Sequence, residues 1–224
     1  MNLLRSLFLL AGAFAVLFLV TCNKDHANRT SDRQGQHENA QPDTTEATVE
    51  VVQMEGPAAE IGVINGMSGT ALPSFEDANF TTASYQAPGF SWKTGAGEVE
   101  SLEDYRGDVV MLNFWGTWCP PCRRELPDIV KLRDEFSSKG FEVLGIALER
   151  PVAGESVEEH LAVFAEANDL RYPMLVGNAE LVQHYGSSPY VPTTFIVDRD
   201  GNVVNMLVGG MSEAQFRAAI EKVL

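Results

Sequence analysis

The apolar positions of this chain fall into three regimes. Leu7 to Val20, LFLLAGAFAVLFLV, is an unbroken run of 14 apolar or small residues behind a short start whose one charged side chain is Arg5. Such a start looks like a secretory signal. The run is shorter than the roughly 20 residues of a membrane span, but counted from Leu3 it suits an uncleaved anchor. Residues 23–50 hold almost no large apolar side chain and are rich in Asn, Gln, Asp, Glu and Thr. They bury too little surface to offset the entropy of ordering them and read as a disordered tether. A flexible tether of about 30 residues reaches roughly 30 Å. Residues 51–86 carry apolar clusters, VEVVQM just at their start and IGVING, broken by Gly and Pro. They fit a further strand or a packed lead-in loop equally well.

From Ala87 the pattern sharpens. FSWKTGAGEVES alternates around Gly95 and Gly97 as a hairpin does. Val109 to Phe114 (VVMLNF) and Phe141 to Leu148 (FEVLGIAL) are short continuous apolar runs, as in strands buried on both faces. Between them, Leu126, Ile129, Val130, Leu132 and Phe136 recur at near-helical spacing. Ser156 and Glu159 form a capping box that opens a helix running to about Asn168. Tyr172 to Val176 predicts a strand and Ala179 to Tyr185 a short helix. Thr193 to Val197 and Val203 to Val208 predict two strands joined by the tight turn DRDG. Ser212 and Gln215 open a last helix that runs to Val223. Strands alternating with helices predict an α/β fold, a central parallel sheet with helices on both faces. The terminal hairpin adds an antiparallel edge and makes the sheet mixed. The expected organisation is a signal or membrane anchor at 1–22, a tether at 23–50, an unassigned lead-in at 51–86 and a folded domain at 87–224.

Composition changes this picture little. The chain has 224 residues, 45 % of them apolar, enough for one domain with a real core. A formal net charge of −15 without a basic stripe argues against nucleic acid as a partner. It favours solubility and an electrostatic preference for basic partners. Three cysteines, Cys22, Cys119 and Cys122, are too few for a disulfide-stapled scaffold. Cys22 directly follows the apolar run, and LVTC resembles a bacterial lipoprotein box, whose cysteine is lipidated and becomes the mature N-terminus. A lipid on Cys22, an uncleaved helix and release by cleavage all send the rest of the chain out of the cytosol.

The other two cysteines stand three apart in FWGTWCPPCRRELP. A zinc site needs four ligands, and neither a second CxxC nor a suitably spaced pair among His26, His37, His160 and His184 is present. A c-type haem site needs histidine after the second cysteine, where Arg123 stands. What remains is a redox dithiol, with no metal and no cofactor. Cys119 falls at the junction of a buried strand and a helix, where unpaired N–H groups and the macrodipole favour a thiolate. Pro120 and Pro121 suit a first helical turn but supply no N–H, which leaves those of Cys122 and Arg123. The first cysteine is expected to be exposed and to attack, and Cys122, a turn in and shielded, to resolve the mixed disulfide. Trp115 reads as core packing. Trp118 reads as a cover for one side of the disulfide that shapes substrate access.

NFWGTWCPPCRRELP together with VPTTFIVDRDGNVV (Val191 to Val204) resembles the thioredoxin superfamily, and within it the TlpA/ResA-like extracytoplasmic thiol–disulfide oxidoreductases. The likeness runs from about Ala87 to Leu224 and includes APGF and SLEDYRGDVV. It implies a thioredoxin-like fold, Cys119 as nucleophile, Cys122 as resolving thiol and Pro192 as a cis proline facing the disulfide. A proline there would leave the Val191 backbone free to pair with a substrate strand. Ordinary thioredoxin carries a buried aspartate where this chain has Asn113, and an amide cannot accept the proton of Cys122. The TlpA/ResA-like branch instead has a glutamate three residues after the second cysteine, which is Glu125 here. Glu125 is therefore expected to be a partly buried acid that tunes both thiols and moves protons, its pKa raised by burial and by thiolate charge.

The resemblance implies a membrane-tethered reductase of protein disulfides outside the cytosol, one family use being the haem-binding CxxC of apocytochrome c. Its partners would be protein disulfides, an electron donor in the membrane or periplasm, and the membrane itself through the N-terminal anchor. Two other readings stand beside it: a thiol peroxidase of peroxiredoxin type, for which Thr117 lies close to the cysteine, and a non-catalytic binding module. The segment SSPY, Ser187 to Tyr190, is a candidate specificity loop by its position before Pro192.

Overall fold

The computed structural model describes residues 58–74, 85–150, 153–186, 188 and 190–224. The expected anchor, Cys22 and the tether lie outside the described residues. Within these, no helix is long and apolar enough to cross a membrane.

The continuous apolar runs become the centre of one mixed sheet. Val109–Trp115 (β5) pairs in parallel with Phe141–Ala147 (β6), which pairs in parallel with Met174–Val176 (β7). On the other side of β5, Thr193–Val197 (β8) runs antiparallel and is followed by Asn202–Val208 (β9). The hairpin expected around Gly95 and Gly97 is Gly89–Lys93 (β3) with Val99–Ser101 (β4). The stretch left unplaced by its pattern supplies Ile61–Ser68 (β1) and Tyr85–Gln86 (β2). β1 is inserted between β7, to which it is parallel, and β3, to which it is antiparallel. β2 covers the outer edge of β9. The order across the nine strands is β2-β9-β8-β5-β6-β7-β1-β3-β4, so the terminal hairpin is capped by β2 and does not itself form the edge.

Among the described residues, four α-helices accompany the sheet: Pro120–Phe136 (α1), Val157–Ala167 (α2), Ala179–His184 (α3) and Glu213–Ile220 (α4). Strand geometry sends alternate side chains to opposite faces, and β5 shows what that does. Val109, Met111 and Trp115 join a core with Leu126, Ile129 and Leu132 of α1, Leu161 of α2 and Phe216 of α4. Val110, Leu112 and Phe114 join a second core with Leu181 of α3, Tyr185 and Leu102. Helices thus cover both faces, as the α/β pattern predicts. Asn113 shares the odd-numbered face of β5 and points a polar group at α1 from inside the core.

The helix that matters most starts where β5 ends. Cys119 has extended backbone, φ −98° and ψ 107°, and is the N-cap of α1, with prolines at the first two helical positions. The apolar stripe Leu126, Ile129, Leu132 and Phe136 lays α1 on the sheet, and that same stripe carries Cys122 and Glu125 inward. On the outer side α1 is tied to α4 by Lys131 to Glu213 at 2.7 Å and by the paired contacts of Arg217 with Glu135 at 2.6 Å.

Candidate active site

Cys119 and Cys122 are joined in a disulfide, with Cα atoms 5.3 Å apart. The backbone N–H of Cys122 points at Cys119 Sγ over 3.3 Å. The N–H of Arg123 does not reach the sulfur, because it donates to the carbonyl of Cys119 at 3.1 Å. With Pro120 and Pro121 lacking N–H, Cys122 is the donor that the first turn offers. Cys119 is more enclosed than the sequence suggests, at 3 % exposure against 0 % for Cys122. Part of that cover is the carbonyl oxygen of Val191, 3.7 Å from Cys119 Sγ.

Val191 and Pro192 come from the approach to β8. The peptide bond between them is cis, and the Pro192 carbonyl accepts a hydrogen bond from Gly209 N at 2.9 Å, which fastens this corner to the end of β9. The loop before it is tied at Thr193, whose hydroxyl donates to the Tyr190 carbonyl at 2.8 Å. Ser187 and Pro189 of the expected specificity loop lie outside the described residues. Trp115 has no exposed surface and packs against Phe164 of α2, ring centroids 5.4 Å apart, as core. Trp118 is 39 % exposed. Its indole N–H donates to the Leu148 carbonyl at 3.0 Å, and the Arg150 guanidinium lies 4.0 Å over its ring.

Glu125 is buried, at 2 % exposure, one turn below Cys122. Its Oε1 accepts from Asn113 Nδ2 at 3.1 Å and its Oε2 from the backbone N–H of Met211 at 3.1 Å. Asn113 in turn donates to Thr194 Oγ1 at 2.9 Å, its register partner on β8. Burial pushes the carboxyl up to about 7, against the opposing pull of the Met211 and Asn113 hydrogen bonds, with a small further push from Asp128. Desolvation outweighs two donors because the group has almost no contact with water. Asn113, which the sequence shows only as a missing aspartate, orients the acid that replaces it.

One set of contacts was not anticipated. Thr117 donates its backbone N–H to Glu149 Oε1 at 2.7 Å and its hydroxyl to Glu149 Oε2 at 2.8 Å. His160 Nε2 lies 3.1 Å from the same hydroxyl, and its Nδ1 is 3.4 Å from Glu155 Oε2. The Thr117 hydroxyl is thus committed to Glu149 and His160, away from the role beside a peroxidatic sulfur that a thiol peroxidase would give it. The signal for Glu149 and Arg150 was their place just beyond the C-terminal end of a parallel strand, where α/β sites assemble.

The profile of the AhpC/TSA family matches residues 83–206, from β2 to within β9. The chain belongs to the AhpC/TSA family. Its similar proteins include the thioredoxin-like protein YneN of Bacillus subtilis, 37 % identical over 136 residues, which are 61 % of this chain and 77 % of that protein. They also include the thiol-disulfide oxidoreductase ResA of Geobacillus thermodenitrificans, 36 % identical over 138 residues, 61 % of this chain and 75 % of that one. Among solved structures, a thiol:disulfide interchange protein of the thioredoxin family from Chlorobium tepidum TLS superposes with a TM-score of 0.55 at 30 % identity, over 65 % of this chain and 99 % of that one. This AhpC/TSA member has the thioredoxin-like fold and is a thiol–disulfide oxidoreductase of the ResA kind.

Proposed function

We propose that the protein reduces disulfides of other proteins outside the cytosol, held at the membrane by its first 22 residues and the tether that follows. The observation that carries this is the Cys119–Cys122 disulfide at the start of α1, against Val191 and cis Pro192, with a protonatable Glu125 beneath it.

In the reduced protein, the Cys119 thiolate attacks one sulfur of a substrate disulfide. A bond forms between Cys119 Sγ and that sulfur, and the substrate's other sulfur leaves as a thiolate and takes up a proton. Cys122 then loses its proton towards Glu125 and attacks Cys119 Sγ. The second substrate sulfur leaves, and the protein is left with the disulfide seen here. Two electrons have passed to the substrate, and a separate dithiol donor in the membrane or periplasm must return the protein to its reduced state. The Val191 backbone beside the attacking sulfur and Trp118, its exposed neighbour in the chain, hold the substrate chain. The apocytochrome c CxxC is one disulfide of the right kind, and Cys22 is the point of lipid attachment.

Cys122→Ser tests this. The variant should accumulate a mixed disulfide through Cys119 with extracytoplasmic proteins, released by dithiothreitol, and the captured chain identifies the substrate. Failure of Cys122→Ser to trap any protein, with no reduction of insulin by the wild type, overturns the proposal.

A further inference from the structure

The charges around the disulfide divide by sign. Three of the negative ones are engaged: Glu125 is buried between Asn113 and Met211, Glu149 holds Thr117, and Glu155 meets His160. Asp128 sits a turn further along α1, half-buried. The positive ones face solvent. Arg123 and Arg124 leave α1 directly after Cys122, and Arg150 stacks on Trp118, all three exposed. Among the described residues, none of the three has a carboxylate within 4.0 Å, whereas Arg133, Arg171 and Arg217 are all paired. Arg106 and Arg199 also lack a carboxylate partner, but they are tied to backbone carbonyls. In a chain of net charge −15, Arg123, Arg124 and Arg150 are therefore left as exposed cations on the elements that carry the disulfide and Trp118.

We propose that this surface selects protein disulfides with acidic residues beside the reactive cysteine, read by Arg150 on Trp118 from one side and by Arg123 and Arg124 from the other. The proposal rests on the exchange reading above and adds the substrate class. A substrate strand lying along Val191 advances about 3.3 Å per residue. Side chains one or two positions from its cysteine are therefore expected within reach of the long side chains of Arg123 and Arg124, next to Cys122 in α1, and of Arg150 on Trp118. The chain as a whole repels an acidic partner, but distance decides between the two effects. At 0.15 M ionic strength, the Debye length is about 8 Å, so charges far from the site are screened while the arginines at the contact are not. The Trp118 ring also holds the Arg150 guanidinium in place, which lowers the entropy lost when it pairs.

The test uses the full-length reduced protein and three matched peptides, each with one internal disulfide, flanked by glutamate, glutamine or lysine. The rate constant for reduction is measured for each at 0.15 M and 1 M salt, in the wild type and in Arg150→Gln and Arg123→Gln/Arg124→Gln. One or two exposed charge pairs correspond to about three- to tenfold in rate, so the glutamate peptide should outrun the glutamine peptide by that factor at 0.15 M. The lysine peptide should lag behind both. The ratio should approach one at 1 M salt, where the Debye length is about 3 Å, and should fall in each variant. Using the ratio removes any general effect of a variant on the Cys119 thiol. A ratio of one in the wild type at 0.15 M, or a ratio that neither salt nor the variants change, overturns the proposal. A protein that reduces none of the three peptides overturns the exchange reading itself, and this one with it.

Discussion

Glu125 is a carboxyl that the fold keeps from water yet supplies with two donors, and its titration should be visible in stability. Its pKa is raised from the ordinary 4.5 to about 7, first by burial. Between those values the folded chain binds a proton that the unfolded chain does not, so the stabilisation is complete below 4.5 and is lost as the pH rises through about 7. The full span corresponds to about 3 kcal/mol. Urea unfolding of the oxidised wild type should therefore weaken by that order between pH 4.5 and 8 relative to Glu125→Gln, which has nothing to titrate at this position. Parallel curves for the two proteins would show that Glu125 ionises as a surface group does. Asn113 shapes the same titration. Its amide lowers the Glu125 pKa, so Asn113→Leu should move the carboxyl's titration, followed by carbon NMR, above 7. The same substitution leaves Thr194 Oγ1 without its donor.

The elements around the site were legible to different degrees, for physical reasons. β5, β6 and α1 declare themselves because burial on both faces, or on one stripe, leaves a periodic trace. The Ser156–Glu159 box marks the start of α2 because two polar side chains there close on the backbone, each at 3.1 Å. Cys119, Cys122, Glu125 and Pro192 could be named because they stand in short motifs with a resemblance to guide them. Glu149, Arg150 and His160 stand in no such motif and meet Thr117 and Trp118 across 32 or more residues, so that only the place of Glu149 and Arg150 beyond the end of β6 marks them. Gly145 is of the same hidden kind. It looks like a defect in FEVLGIAL, yet a Cβ there would meet Met174 Sδ at 2.6 Å, Tyr172 Cε2 at 3.2 Å and Trp115 Nε1 at 3.3 Å. It is the register partner of Asn113 on one side and Met174 on the other. Gly145→Ala overfills the layer beneath α1, and should cost about 1–3 kcal/mol in unfolding free energy. An unchanged denaturant midpoint would mean that Met174 yields freely.

At the scale of the whole molecule, the open question was where the folded unit begins. The sequence motifs stand from Ala87 onward and the family profile matches from residue 83, while the sequence between 51 and 86 shows no clean alternation because Gly62 and Gly66 interrupt β1. Those glycines are what allow the strand its place. A Cβ at Gly62 would come within 2.5 Å of Trp92 and 2.8 Å of Leu175, so a side chain there would push β1 away from the neighbours it joins. Ile64 is buried in the same core as Trp92 and Leu175. β1 supplies hydrogen-bonding edges to β7 on one side and β3 on the other. Without it, the hairpin β3–β4 has no ladder to the rest of the sheet, and β7 becomes an apolar edge open to other chains. A chain beginning at Ala87 should therefore be aggregation-prone or unfolded at 25 °C, even though it keeps both cysteines, Glu125 and Pro192. A chain beginning at Ala58 should retain the urea midpoint of the full-length protein. Equal midpoints and equal solubility for the two truncations would return β1 to the status of a dispensable lead-in. The expected outcome places the start of the cooperative unit at β1, so that the exchange site depends on a strand lying well before the motifs that carry its chemistry.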